Sequence, residues 1–230
     1  MVLARAAGAL SGLVDLVLPL RCGGCGAAGA AWCSVCARDL ARVRRVERPL
    51  LDPRLPVFAL GRYAGPVRQA VLAHKESGRR DLAEPFGQQL ASGLRALAAD
   101  GRLPLGSPCA LVPAPSRAVA ARRRAGAHMP RIAHHAAAEL SAAGWSVSVV
   151  DCLALRSGVV DSAGLAPGER VRNLAGRVRL RPGRLPPRHR PLVLVDDVIT
   201  TAATAASCVA ALDSAGLEVA GVVGLTATPG

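Results

Sequence analysis

The run PLVLVDD, from Pro191 to Asp197, sets four consecutive apolar residues directly before two adjacent carboxylates. A strand with one wet face alternates apolar and polar residues. An unbroken apolar run instead marks a strand covered on both faces, as in parallel sheets whose crossovers lie on either side. The rest of the chain repeats the pattern. CALVPAPS, starting at Cys109, reads as a short buried strand entering a proline-rich turn, WSVSVVDCLAL as one strand, and VAGVVGLTA as another. VFALGRYAG is a further strand, ended by Gly65-Pro66. Between these runs the periodicity predicts helices through about Ser77, from about Leu82 to Ala99, from Arg117 to Ala143 with a break at Gly126 or Pro130, and from about Ala203 to Ser214. Strands alternating with helices predict an α/β fold, a parallel sheet flanked by helices. Ligands of such sheets sit at the carboxyl ends of the strands, where both VPAPS and DDVITTAAT fall.

Cys22, Cys25, Cys33 and Cys36 form C-x2-C-x7-C-x2-C. Two intervening residues let both sulfurs of a pair converge on one ion, and two such pairs make the tetrahedral thiolate set that zinc prefers, with Zn–S bonds of about 2.3 Å. With no fifth donor nearby, the pattern favours structural Zn2+ over a catalytic site. Disulfides are the competing reading, and a reducing compartment argues against them. The small module around these cysteines has too little core to fold unaided. Cys109, Cys152 and Cys208 sit singly among apolar residues and read as small buried hydrophobes.

The N-terminal MVLARAAGALSGLVDLVLPLRC starts like a secretory leader, but Asp15 interrupts it and no cleavage site precedes the cysteines. It is too short and too broken to span a bilayer. Leu10, Leu13, Val14, Val17 and Leu18 fall at helical spacing, which predicts an amphipathic helix docked on the body. The expected organisation is therefore residues 1–48 for this helix and the cysteine module, 49–108 for a proline-rich linker and a helical hood, and 109–230 for the α/β core. The expected compartment is the cytoplasm. A long Gly-, Pro- and Arg-rich stretch from Arg156 to Arg190 reads as a loop with a short helix around Glu169 to Leu174.

The formal net charge is +13, and of the 29 Lys and Arg residues only Lys75 is lysine. That balance favours anionic partners: phosphates, nucleotides or nucleic acid. Ionised carboxylates only accept hydrogen bonds, so Asp196 and Asp197 at a strand end suit two vicinal hydroxyls of a ribose. Downstream, the amides of Thr200 to Thr204 head a helix, where free N–H groups and the helix dipole favour a phosphate. The plainer reading, a capping threonine and an Asp paired with an arginine, accounts for one Asp and one Thr. It does not account for D-D-x-x-T-T-x-x-T directly after LVLV.

These residues resemble the ribose-phosphate motif of the type I phosphoribosyltransferases: a hydrophobic strand, two acidic residues and a Thr-Thr-Gly-x-Thr turn. With the four cysteines, RYAGPVRQAVLAHKESGRRDLA, LVPAPS and GERVRNLAG in order, the chain resembles the ComF family of ComFC- and GntX-like proteins over nearly its whole length. The resemblance implies a phosphoribosyltransferase-like fold that binds phosphoribosyl pyrophosphate or ribose 5-phosphate with Mg2+, and transfer of the phosphoribosyl group to a nitrogenous base. It implies that Asp196 and Asp197 hold the ribose, that Thr200, Thr201 and Thr204 hold the 5′-phosphate with backbone amides of the same turn, and that Val198, Ala202 and Ala203 complete the binding stretch. Pro113, Ala114 and Arg117 would line the pyrophosphate loop, and Lys75 would neutralise the leaving pyrophosphate. The loop after Arg156 would close as a lid. The chain departs from the family in two places. Ala202 replaces the glycine of the turn, at a cost of about 1–2 kcal/mol if that residue must adopt positive φ, and Arg124 to His128 stand where the family has Arg-Gly-Phe-Asn-Gln. The alternative the family name suggests is a non-catalytic accessory in DNA uptake, binding single-stranded DNA or competence proteins. Net charge favours it, whereas a chain that is 2% aromatic offers few stacking platforms. His134 and His135 are adjacent on a helix and make a poor metal pair. His74 and His189 have no partner visible in the sequence.

Overall fold

The computed structural model describes residues 20–105, 108–116, 128–155, 178–186 and 190–230. The expected N-terminal amphipathic helix, Arg117 and the residues up to 127, His189, the short helix around 169–174 and most of the proposed lid lie outside the described residues.

The described chain runs α1 (Ser34–Leu40), β1 (Arg44–Arg45), β2 (Val57–Arg62), α2 (Gly65–Glu76), a 3-10 turn (Arg80–Leu82), α3 (Ala83–Ala99), β3 (Cys109–Pro113), α4 (His128–Ala142), β4 (Val147–Val149), β5 (Leu153–Leu155), β6 (Val178–Leu180), β7 (Leu192–Ile199), α5 (Ala203–Asp213) and β8 (Val219–Ala227). Six strands form one sheet in the order β1-β2-β8-β7-β3-β4. Only the β1–β2 pair is antiparallel. The fold is thus α/β, with a mostly parallel sheet flanked by helices. No helix among the described residues is long and apolar enough to cross a membrane.

β7 lies in the interior of the sheet between β8 and β3, and its apolar run serves both faces. Val193 and Val195 join the core built by α2, α3 and α4, while Leu192 and Leu194 join the core under α5 and the β5–β6 pair. Alternation along a strand requires that division. α2 begins with Pro66 in its first turn, where a missing N–H costs nothing, and buries Val67, Ala70, Val71 and His74 at helical spacing. α3 and α4 pack so closely that a Cβ on Gly87 would lie 2.4 Å from Cβ of His135. Only glycine permits that approach.

Two expectations need correction. WSVSVVDCLAL is not one strand: β4 is the edge of the main sheet, while β5 pairs antiparallel with β6 in a separate two-stranded sheet. The break falls at Asp151, whose carboxylate pairs with Arg181 at 2.6 Å, so the chain turns out of the sheet where it meets a charge. The second correction follows from the first. Residues 178–180, read as part of a long loop, are β6.

Candidate functional site

β7 carries Asp196 and Asp197 and continues through Ile199, so the pair lies inside the last turn of pleat and not beyond the strand. Adjacent strand residues point to opposite faces. Asp197 faces the α2–α4 side. There its Oδ2 accepts from Lys75 Nζ at 2.7 Å and from His128 Nε2 at 2.8 Å, and its Oδ1 accepts from the Val198 amide at 2.7 Å. The Asp197 carbonyl accepts from Thr226 Oγ1 at 3.0 Å. Asp196 faces α5, on the side of the buried Cys208. Asp196 Oδ1 accepts from the Asp197 amide at 2.9 Å.

The two carboxyls are driven apart electrostatically. Burial raises both, but for Asp197 Lys75 and His128 outweigh it and hold the group far below the usual carboxylate range. Asp196 has only burial and the neighbouring Asp197 charge to answer to, set against a weaker pull from Lys75, and is pushed up to about 8. Near neutral pH the pair therefore carries one negative charge, on Asp197. Burial lowers the Lys75 ammonium and Asp197 more than restores it, leaving it raised.

After Ile199 the chain turns. Ala202 has φ 62° and ψ 17° and is the non-glycine with positive φ among the described residues. The condition attached to alanine at this place is met. The turn is braced from behind by Arg48, which donates through Nε to the Thr200 carbonyl and through Nη2 to the Thr228 carbonyl at 2.6 Å. Thr201 Oγ1 accepts from the Ala203 amide at 3.4 Å, a weak contact, and α5 begins at Ala203. On the other side of β7, Pro113 pairs with Val195, and the Ala114 amide donates to the Val195 carbonyl at 2.8 Å. The proline-rich turn after β3 thus starts beside the acidic pair.

Asp196, Asp197, Lys75, Pro113, Ala114 and the Thr200–Thr204 turn come together at the carboxyl ends of β7 and β3, with Val198 and Ala203 in the connecting backbone. His128, Thr226 and Arg48 were not anticipated. His74 does have a partner: its Nδ1 donates to the Arg79 carbonyl at 2.8 Å. A separate cavity of about 430 Å³, lined by Arg45, Leu51, Leu55 and Val57 among others, shares Arg48 with the turn but not its carboxylates.

The four cysteines of the N-terminal segment form a second centre. Their Sγ atoms all lie within 4.8 Å of one another, and none is in a disulfide. Cys25 and Cys33 sulfurs are 3.6 Å apart. A tetrahedron with bonds of about 2.3 Å has edges of about 3.8 Å, so the cluster has the dimensions of a four-thiolate zinc site. The Cys33 amide donates to Cys22 Sγ at 3.4 Å. Burial raises the Cys22 thiol, but amide donors from Cys33, Cys25 and Gly24 outweigh it and bring it down to about 6. Burial and the other three sulfurs hold Cys36 well above the usual range. Four sulfurs this close cannot all ionise alone, and a divalent cation removes that conflict. The donor set fits the metal.

The class these observations define is an α/β protein with a six-stranded, mostly parallel sheet and a four-cysteine cluster able to bind a metal. No family model matches the chain, and no curated protein matches it.

Proposed function

We propose that the acidic turn binds the ribose 5-phosphate part of phosphoribosyl pyrophosphate with Mg2+ and that the protein transfers the phosphoribosyl group to a nitrogenous base, its four cysteines holding structural zinc. The observation that carries this reading is the convergence of Lys75 on Asp197 at the head of the Thr200–Thr204 turn. It brings the only lysine of the chain to the strand end where a sugar hydroxyl and a departing anion would meet. The left-handed Ala202 before α5 supports it further, because a left-handed residue in a turn can bring successive amides toward one anion.

In this reading Asp197 orients a ribose hydroxyl, and Asp196, largely neutral, can donate as well as accept. The bond from C1 of the ribose to the pyrophosphate oxygen breaks with its electron pair leaving on pyrophosphate, and a bond to the acceptor nitrogen forms. Lys75 supplies positive charge where the leaving group gains negative charge, a task of positioning and electrostatics that needs no strong base. Mg2+ would ride on the pyrophosphate and neutralise part of its charge.

Calorimetric titration of the zinc-loaded protein with phosphoribosyl pyrophosphate and MgCl2 tests the proposal, run beside the Asp196→Asn, Asp197→Asn double variant. Asparagine keeps an acceptor for Lys75 and His128, so the variant can be checked for folding by circular dichroism. The expected result is saturable heat from the parent and none from the folded variant. A folded, zinc-loaded parent that gives no heat would sink the reading.

A further inference from the structure

We infer that the four-cysteine module, when loaded with metal, holds Lys75 on Asp197 by clamping helix α2 at both ends. The inference rests on reading the cysteines as a zinc site and is independent of which ligand the acidic turn takes.

The first contact is at the start of α2. A Cβ on Gly24, between the two cysteines of the first knuckle, would lie 2.9 Å from the Pro66 carbonyl oxygen and 3.0 Å from Cys36 Sγ. The knuckle backbone is therefore seated directly on the first turn of the helix. The second contact lies just past the other end. Arg79 Nη2 donates to the Arg21 carbonyl at 2.7 Å, next to Cys22, while the same guanidinium pairs with Asp81. A Cβ on Gly23 would meet Leu82 Cδ1 at 2.7 Å. The Arg79 carbonyl in turn accepts from His74 Nδ1, which ties this loop back to the last turn of α2.

A third contact runs through the aromatic side chains. Trp32, immediately before Cys33, meets Phe86 of α3 edge-on at 5.4 Å between ring centroids. Phe86 meets His74 edge-on at 5.8 Å, and His74 lies 6.2 Å from the His128 ring that bonds Asp197. Lys75 is the residue after His74. Its side chain is 37% exposed, so no packed core of its own keeps the ammonium on Asp197. The direction of α2 must do so. That direction is set by the buried face of α2, Val67, Ala70, Val71 and His74, and at its two ends by Arg21, Gly23, Gly24 and Trp32, which the neighbouring cysteines hold in place. A module this small loses its shape without metal, and α2 then loses both of its end stops.

Because Lys75 is the only lysine, protein labelled with 13C,15N-lysine reports it as a single side-chain signal set by NMR. In zinc-loaded protein that signal should move on Asp197→Asn, identifying it as the paired ammonium. Chelation of the zinc should carry it toward the shifts and titration of a free lysine side chain, while amide dispersion from the β-sheet persists. If chelation unfolds the whole chain, the deciding sample is zinc-loaded Arg79→Met, which cuts the tie to Arg21 without touching a cysteine. It should retain its zinc and still shift the Lys75 signal part of the way. An unmoved Lys75 signal in zinc-loaded Arg79→Met, or in folded chelated protein, overturns the inference. A chain that takes up no zinc by metal analysis overturns it too, along with the metal reading. No sugar phosphate is added, so failure of the proposed function leaves the result intact.

Discussion

The two faces of β7 treat neighbouring carboxylates in opposite ways. On the α2–α4 face, Asp197 is surrounded by donors: an ammonium, an imidazole and an amide. On the α5 face, Asp196 is buried on the side of Cys208 and has the next residue's amide as its donor. Both side chains are under 9% exposed, so the difference is not one of burial. It comes from what the helices on each side bring. α2 brings an ammonium and α4 an imidazole to the strand end, while the buried residues of α5 are Ala203, Ala205, Cys208 and Leu212. A buried charge is tolerated where it is paired, and otherwise the group gives up its charge. One strand end thus holds an anion and an acid side by side.

The comparison breaks most visibly at Asp197. Asp197→Ala removes the acceptor shared by Lys75 and His128 and leaves a buried donor set unsatisfied, a loss of about 3 kcal/mol or more. Lys75→Met should cost less, about 1–3 kcal/mol, because His128 and the Val198 amide still pair the buried Asp197 carboxylate. Urea unfolding of the two single variants and the double gives the coupling. A nearly additive cycle would mean that Lys75 contributes little to the α2–α4 face and that His128 alone pairs Asp197.

At Asp196 the comparison sharpens through pH. Its folded-state value is raised, from 3.8 to about 8. Between those limits the folded protein holds a proton that the unfolded chain has lost. Stability from this group is therefore full below pH 4 and declines as pH rises toward 8, by about 1.4 kcal/mol per pH unit at most. Asp197 has the opposite sign: its folded value is depressed, and its contribution is lost as pH falls below 3.8. Denaturation midpoints at pH 5, 6.5 and 8 should fall steadily in the parent and lie nearly level in Asp196→Asn. Parallel slopes in both proteins would show that Asp196 is ionised like its neighbour.

The same contrast separates what the sequence made legible from what it did not. The apolar run of β7, the order of strands and helices and the cysteine cluster depend on short-range pattern: period 2, period 3.6, and sulfurs two residues apart. They could be read along the chain. Lys75 was reached only through the resemblance of its stretch to a family. His128 was missed because it looked like the remnant of a family stretch. Its signal was nevertheless present, since Met129, Ile132, Ala133 and Ala136 put it on the buried stripe of α4, and a buried imidazole calls for a partner. Arg48 was hidden at the end of the segment assigned to the cysteine module, just before the linker, where no periodicity says that its guanidinium reaches two carbonyls far along the chain. The opposite destinations of Asp196 and Asp197 follow from alternation. Which face holds the donors is a property of the packed helices and appears only in three dimensions.

The smallest effect is expected at Ala202, where the strand end becomes the turn. Its φ of 62° places an alanine where glycine is at ease. Ala202→Gly removes a left-handed penalty of about 1 kcal/mol and returns much of it through the greater freedom of glycine in the unfolded chain. The net change should be a gain of about 0.5 kcal/mol, measurable as a small rise in the urea midpoint. Ala202 is buried and belongs to the same apolar cluster as Ala205 and Ile199, so the gain cannot be large. A loss above about 1 kcal/mol would mean that this packing outweighs the strain. Titration of the same variant with phosphoribosyl pyrophosphate and Mg2+ separates strain from function. If the turn cradles a phosphate, removing the methyl should leave affinity equal or tighter. Weaker binding by a variant of equal stability would mean that the ligand touches the Ala202 methyl, and the turn would then have to hold something other than a bare phosphate.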